Sequence, residues 1–348
     1  MFDPSAPPRS PAIAAALGPV RAALALAEGP RRLLVACSGG ADSIAALGLL
    51  LLLRRSEGLS LAIGHVDHGL RPESAIEAEG VTRLADTLEL PSFVTRLELE
   101  RGPGLPARAR LSRRVALRSM ADRFGATWIV LAHTATDQAE TMLMHMTRGA
   151  GLDGLAAMPT LDHPWLRPLL ELTREQTRAL ALALELPFFD DPTNDDEAAL
   201  RVRMRKTVLP VLRAHNPRVE QAMVGLARQA ADAEQAIDAW ARDEVETRQR
   251  GRANGETDDL AWDLQGFDRI PRAVRMRALR RMCELAFVDV SELRARVVEA
   301  MDAAALEVAV AQAGGRGTPN PAPRSWDLRP RRRITIDKKG VRAHQTAP

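Results

Sequence analysis

Short apolar or alternating runs at residues 33–37, 61–66, 92–97 and 128–132 are separated by longer stretches at 44–56, 75–90 and 107–124. Runs of five or six such residues suit strands, and each intervening stretch is long enough for a helical crossover between parallel strands. The pattern predicts an α/β fold with a parallel sheet covered by helices on both faces. An alanine-rich helix over residues 13–28, restarted at Gly18-Pro19, precedes the first strand. Ligands of such sheets bind off the carboxyl ends of the strands, where Ser38, His65 and His133 are expected to emerge.

Beyond residue 148 the pattern changes. A loop at 149–159 carries three glycines, a helix is expected at 173–184, and a loop at 188–196 holds Asp-Pro-Thr-Asn and should be mobile. A helix at 200–212 leads to Asn216-Pro217, a natural boundary. Residues 218–250, 271–285 and 291–313 all read as helical, so a smaller, mostly helical domain follows the α/β part. A Gly/Pro-rich connector at 314–323 leads to a basic tail, where 333–337 and 341–344 can pair as a hairpin around Gly340. The expected division is 1–216, 217–314 and 315–348, without an internal repeat.

The 348 residues, 46% of them hydrophobic, suffice for two domains with separate cores. Formal charge is only +3, yet arginines gather in blocks. These are Arg108, Arg110, Arg113, Arg114 and Arg118; Arg201, Arg203 and Arg205 with Lys206; Arg272, Arg275, Arg277, Arg280 and Arg281; and Arg329, Arg331, Arg332 and Arg333. Four blocks favour a polyanionic partner over mere solvation of helix faces. No tyrosine occurs and aromatics make up 3% of the chain, which argues against base stacking along a sheet. Cys37 and Cys283 belong to no paired ligand motif, pointing to a disulfide-free, cytoplasmic protein. The N-terminal residues lack a secretory pattern, and the apolar stretch after residue 43 is too short to span a bilayer.

The chemistry concentrates at Ser38-Gly39-Gly40-Ala41-Asp42-Ser43, between the first strand and the first crossover helix. Two glycines admit close backbone approach, the first helical turn offers unpaired amides, and the two serines add hydroxyl donors. Asp42 fits such an anion cradle if Mg²⁺ joins its carboxylate to phosphate oxygens. A plain turn has no need of both serines and the aspartate. The hexapeptide resembles the signature of the PP-loop ATP pyrophosphatases, which cleave ATP between the α and β phosphates. No Walker lysine motif is present, which disfavours γ-phosphoryl transfer.

Two further segments flank the same sheet edge. His65-Val66-Asp67-His68-Gly69-Leu70-Arg71 ends the second strand, within reach of the ribose and base of a nucleotide held at the glycine loop; structural hydrogen bonding is the alternative. A zinc site would need more convergent ligands. The segment from Ala132 to Thr141 straddles the fourth strand and its helix, with Thr134 or Thr136 as cap and Asp137 and Glu140 on one face of the first turn. Acidic residues favour a helix N-terminus through its dipole, and two carboxylates there can also hold an ammonium group or a metal.

Taken together these segments are similar to the tRNA(Ile)-lysidine synthetase family. The likeness extends through His65 to Ser74, Asp137 to Thr141, Arg148-Gly149-Ala150-Gly151-Leu152, Arg167-Pro168-Leu169-Leu170, Asp191-Pro192-Thr193-Asn194 and the helix with Arg201 and Arg205, covering about residues 33–217. It implies ATP-dependent ligation of free L-lysine to C2 of the wobble cytidine in tRNA(Ile) with a CAU anticodon, through an adenylated tRNA. The implied ATP contacts are Ser38, Gly39, Gly40, Ala41, Asp42, Ser43, His65, Asp67 and His133, with Asp42 on Mg²⁺. Asp137 and Glu140 are implied for lysine binding and catalysis, Arg110 and Arg113 for the reacting nucleotide, and Arg148, Arg201, Arg203 and Arg205 for tRNA. The helical domain is implied to bind tRNA, no membrane is involved, and a homodimer is left open.

Three positions depart from the family pattern. Thr136 stands where an aspartate is usual, Val202 where an asparagine is usual, and Arg114 where a tyrosine is expected. Altered metal or lysine binding is the expectation there. The rival readings are another PP-loop reaction, thiolation or amidotransfer, and a non-catalytic RNA-binding descendant. Thiolation wants further cysteines near the site, and amidotransfer wants a glutaminase domain that no segment supplies.

Overall fold

The computed structural model describes residues 10–67, 69, 74–99, 102–189, 200–250, 260–314 and 321–345. Of the sequence motifs, His68, Arg71 and residues 191–194 lie outside the described residues. Two compact units form, one up to Ala231 and one from Asp232.

In the first unit, α1 (Pro11–Leu26) precedes β1 (Arg32–Ala36), α2 (Ala41–Leu53), β2 (Ser60–Asp67), α3 (Ser74–Thr87), β3 (Ser92–Arg96), α4 (Leu105–Phe124), β4 (Trp128–Val130) and α5 (Ala135–Met146). There follow α6 (Leu152–Leu155), β5 (Leu161–Asp162), β6 (Trp165–Leu166), α7 (Arg174–Ala183), α8 (Leu200–Arg203), α9 (Leu209–His215) and α10 (Val219–Arg248), the last running on into the second unit. The sheet order is β3-β2-β1-β4-β6-β5. All pairings are parallel except β5 with β6. The α/β expectation therefore holds, with an antiparallel hairpin edge that residues 161–166 did not betray. Its strands are two residues each, too short for a periodic signal.

One face of the sheet packs Leu33, Val35, Leu61 and Ile63 against α1, α2 and α7, while Leu34, Ala36, Ala62 and Ile129 face Leu117 and Met120 of α4. The α2 helix is apolar on nearly every side, with Ile44 through Leu51 buried, because β1 lies on one flank and α7 on the other. Gly48 permits that approach: a Cβ there would stand 2.6 Å from a Leu184 methyl. The helix expected over 200–212 forms as α8, a π-helical stretch Met204–Val208, and α9.

The second unit adds β7 (Gln249–Arg250), β8 (Leu260–Trp262), α11 (Arg272–Leu285), α12 (Ala295–Ala313), β9 (Arg324–Leu328), β10 (Arg332–Asp337) and β11 (Gly340–Gln345). The tail hairpin forms around Gly340, whose φ of 112° and contact with the Trp262 carbonyl leave no room for a Cβ. It is not a loose appendage. With β7, β8 and β9 it makes a five-stranded antiparallel sheet over the core of α11 and α12. One expectation for the arginine blocks is corrected here. Arg275 is buried and donates two hydrogen bonds to Asp302, at 2.7 and 3.0 Å, so it is a structural ion pair and cannot meet a phosphate. Arg277 likewise pairs with Glu234, and Arg280 donates to the Leu293 carbonyl.

Candidate active site

The turn from β1 into α2 brings the glycine loop to the carboxyl edge of the sheet. Gly39 takes a φ of 85°, a conformation that favours glycine, and Gly40 is the N-cap of α2 without a side-chain partner for its amides. The Ser43 hydroxyl donates to the Gly40 carbonyl at 2.8 Å, and Ser38 lies 3.4 Å from Ser43, so both hydroxyls line the cradle. Cys37 beneath it is buried, which pushes its thiol above the usual range and leaves it unsuited to nucleophilic work.

This cradle opens into a cavity of about 1100 Å³, lined by Ser38, Gly40, Ala41, Asp42 and Ser43 on one side and by Asp137, His133 and Thr141 on another. Arginines dominate the rest: Arg110, Arg113 and Arg114 from α4, Arg148 past α5, Arg167, Arg174 and Arg178 around α7, and Arg201 from α8. So many cations around two carboxylates make a field suited to phosphates. Burial and the neighbouring Arg110 hold the Arg113 guanidinium below its ordinary range.

Asp42 does not stand alone. The Thr177 hydroxyl of α7 donates to its Oδ1, and the Arg174 Nε lies 3.5 Å from its Oδ2. Burial still pushes the carboxyl above its usual range, against the pull of Thr177 and Arg174, and the charge of Asp137 adds to that push. Among the described residues no group of three or more His, Cys, Asp or Glu could hold a metal by itself. Asp42 with phosphate oxygens fits Mg²⁺, which commonly takes one or two carboxylates plus substrate phosphates and water.

At the other wall Thr134 caps α5 through a capping box with Asp137. The Thr134 amide and hydroxyl both donate to Asp137 Oδ2 at 2.8 Å. Arg201 then spans the two carboxylates, with Nη2 3.1 Å from Asp137 Oδ1 and Nε 2.6 Å from Glu140 Oε2. Burial raises Asp137, but Arg201, His133 and the Thr134 amide bring its carboxyl below the usual range. Glu140 goes the other way: burial and the Asp137 charge push it up more than Arg201 pulls it down. Glu140 is 1% exposed and lies behind Arg201, with Oε1 unpartnered by any hydrogen bond among the described residues. His133 is driven down to about 4, first by burial and then by Arg167, Arg201 and Arg113, despite Asp137.

The remaining expected site residues fall elsewhere. His65 is buried with Nδ1 2.8 Å from the Cys37 carbonyl, and Asp67 accepts from the Gly69 amide at 2.7 Å; neither lines the cavity. Burial raises Asp67, yet hydrogen bonds from Ser74 and Gly69, with Arg96, hold it below the usual carboxylate range. Arg205 approaches Glu140 at 3.9 Å, while Arg203 is exposed. Thr136 is 1% exposed and turns away from the cavity: its hydroxyl donates to Glu220 Oε1 at 2.5 Å and accepts from the Arg174 amide at 3.0 Å. Val202 is buried and off the cavity lining. Arg114 stacks its guanidinium 4.7 Å from the Trp165 ring centroid, a cation over an aromatic face.

Sequence reading missed Arg174, Thr177, Arg178 and Phe189. Phe189 donates its amide to the Gly39 carbonyl at 2.8 Å and seats its ring against Gly39 and Gly80, where a Cβ would stand 2.9 and 2.5 Å from ring carbons. The glycine at 80, in the middle of a helix, was the available signal.

Residues 16–212 match the PP-loop domain family. A tRNA(Ile)-lysidine synthase from Thermobifida fusca is 38% identical over 86% of this chain and 90% of its own. One from Salinispora arenicola is 42% identical over 66% and 71%, and one from Streptomyces coelicolor 36% over 77% and 76%. Among solved structures, a U34-tRNA thiolase from Methanococcus maripaludis with its 4Fe-4S cluster superposes with a TM-score of 0.52 at 18% identity, covering 63% of this chain and 80% of that one. That likeness concerns the fold. The chain, with a PP-loop match over more than half its length and synthase relatives aligned over most of it, belongs to the tRNA(Ile)-lysidine synthase family of PP-loop proteins.

Proposed function

We propose that this chain uses ATP to adenylate the C2 carbonyl oxygen of the wobble cytidine in tRNA(Ile) with a CAU anticodon, and then joins the ε-amino group of free L-lysine to C2. The observation that carries the reading is one continuous cavity that joins the Ser38–Ser43 cradle to Asp137 and the arginines of α4. In the first step the cytidine O2 forms a bond to the α-phosphorus and the bond to the β-phosphate breaks, releasing pyrophosphate. Ser38, Ser43 and the α2 amides hold the departing phosphates. Mg²⁺, if bound at Asp42, would offset phosphate charge there. His65 and Asp67, off the cavity lining, brace the strand ends beside the nucleotide through the Cys37 carbonyl and the Gly69 amide, and His133, neutral at physiological pH, supplies a hydrogen bond without adding charge. Arg110 and Arg113 meet the adenylated nucleotide.

In the second step lysine nitrogen attacks C2 and AMP departs. Asp137 and Glu140 form the ammonium site, and Arg201 is the cation that now spans them. Glu140, pushed above its usual range, is the better of the two to accept a proton. Arg148, Arg201, Arg203 and Arg205 contact tRNA, and the helical domain after residue 216 also binds tRNA. No helix among the described residues is long and apolar enough to cross a membrane, and we assign the reaction to the cytoplasm. Thiolation on a cysteine-held iron–sulfur cluster is disfavoured because the chain has two cysteines in all. Thr136 and Val202 lie off the cavity, which removes the motive for a non-catalytic descendant.

The test incubates purified protein with ATP, Mg²⁺, lysine and a tRNA(Ile) transcript bearing CAU. AMP release that requires both lysine and tRNA, with lysidine in the product digest, is expected. tRNA binding without lysine-dependent AMP release would overturn the reading.

A further inference from the structure

We propose that Arg174 is a catalytic residue of the adenylation step, holding the β- and γ-phosphates of ATP and remaining with pyrophosphate as it leaves; this rests on the PP-loop reading above. Arg174 opens α7 and lines the same cavity as Ser38 and Gly40. Its Nε stands 3.5 Å from Asp42 Oδ2, too far for a good hydrogen bond, and that buried N–H has no hydrogen-bond acceptor among the described residues. The side chain as a whole is 35% exposed and lines the cavity, and a buried N–H without an acceptor beside an anion cradle is a donor awaiting one.

The root of the side chain is fixed. The Arg174 amide donates to Thr136 at 3.0 Å, and Thr173 and Gln176 close the helix end in a capping box. That box satisfies the α7 amides locally, so the helix end itself is not the phosphate site and the guanidinium is. Three residues along the same helix face, Thr177 donates to Asp42. One turn of α7 thus holds Asp42 with one side chain and presents a planar fork of donors with the other. As the bond between α-phosphorus and the bridging oxygen breaks, its electron pair goes to pyrophosphate, and the guanidinium meets that charge without any proton transfer.

Calorimetric titration of the full chain tests this with Mg-ATP, Mg-pyrophosphate and AMP, which lacks the outer phosphates. Arg174→Ala should weaken Mg-ATP and Mg-pyrophosphate by about 10-fold or more, the scale of hydrogen bonds to charged groups, and leave AMP within about 2-fold. Arg174→Lys should recover part of the loss, since a point charge remains but the fork does not. Should Arg174→Ala fail to fold by circular dichroism, Arg174→Lys and Arg174→Gln read the same ATP-to-AMP ratio. Equal weakening of ATP and AMP, or unchanged pyrophosphate binding, would reduce Arg174 to a structural partner of Asp42 and overturn the proposal. None of these titrations contains lysine or tRNA. A chain that passed them yet made no lysidine would refute the reaction assigned above and leave the role of Arg174 standing.

Discussion

Placing an aspartate at position 136 should harm this protein. Thr136 donates to Glu220 Oε1 at 2.5 Å in a site where the two residues are 1% and 3% exposed, and Arg213 already neutralises Glu220 with bonds of 2.9 and 3.1 Å. Thr136→Asp replaces the donor by a second carboxylate. Two charges about 3 Å apart at an effective dielectric of about 20 repel by roughly 5 kcal/mol. One carboxyl can instead take up a proton, at about 1.4 kcal/mol for each pH unit above its ordinary value near 4, which limits the penalty to about 4 kcal/mol at pH 7 and about 1.4 kcal/mol at pH 5. Its pKa is then raised in the folded state, so stability is retained at low pH and lost as pH climbs through the raised value. Urea unfolding of wild type and variant across pH 5 to 8 measures the difference. The companion Thr136→Asp/Glu220→Gln pair should regain most of the loss. A penalty that is flat with pH, or unchanged by Glu220→Gln, would refute the placement of Thr136 against Glu220.

Three other outcomes are expected. Asp42→Ala should abolish pyrophosphate release while tRNA affinity, read by filter binding, stays within about 2-fold; near-normal turnover would remove Asp42 from the phosphate chemistry. Glu140→Gln should raise the lysine KM with little effect on ATP binding, because it removes one of the two carboxylate charges assigned to the lysine ammonium, and an unchanged lysine dependence in steady-state assays would leave Glu140 a helix-end charge. His133, lowered to about 4 from an ordinary 6.5, makes the folded state lose stability as pH falls through that interval. Replacing it by His133→Asn should flatten the decline in melting temperature between pH 6.5 and 4, and a slope equal to that of wild type would contradict the buried neutral imidazole.

Of the three positions expected to depart from the family pattern, Thr136, Arg114 and Val202, the structure gives the first two local partners. Thr136 is tied into a link that runs through buried Glu220 to Arg213 and out to the exposed Glu175, joining the starts of α5, α7 and α10. Arg114 lies over Trp165 with Arg118 behind it at 5.5 Å. Nothing explains Val202 beyond its burial.

The residue pattern alone sets the parallel sheet, its crossovers, the tail hairpin and the glycine loop. These follow from short-range regularities: apolar runs of strand length, stretches of helix length, and the dihedral freedom of Gly39 and Gly340. It also set Asp137 and Glu140 three apart on one helical turn. Long-range packing lays Arg201 across those two carboxylates, seats Glu140 behind it, and brings Arg174 and Thr177 to Asp42 from more than a hundred residues away. It decided, too, that Arg275 is an internal partner of Asp302 and not part of a basic surface. The physical reason is that an arginine or a carboxylate has the same local pattern whether it meets solvent, substrate or an opposite charge. Which of these it meets depends on the burial and the neighbours that long-range packing supplies.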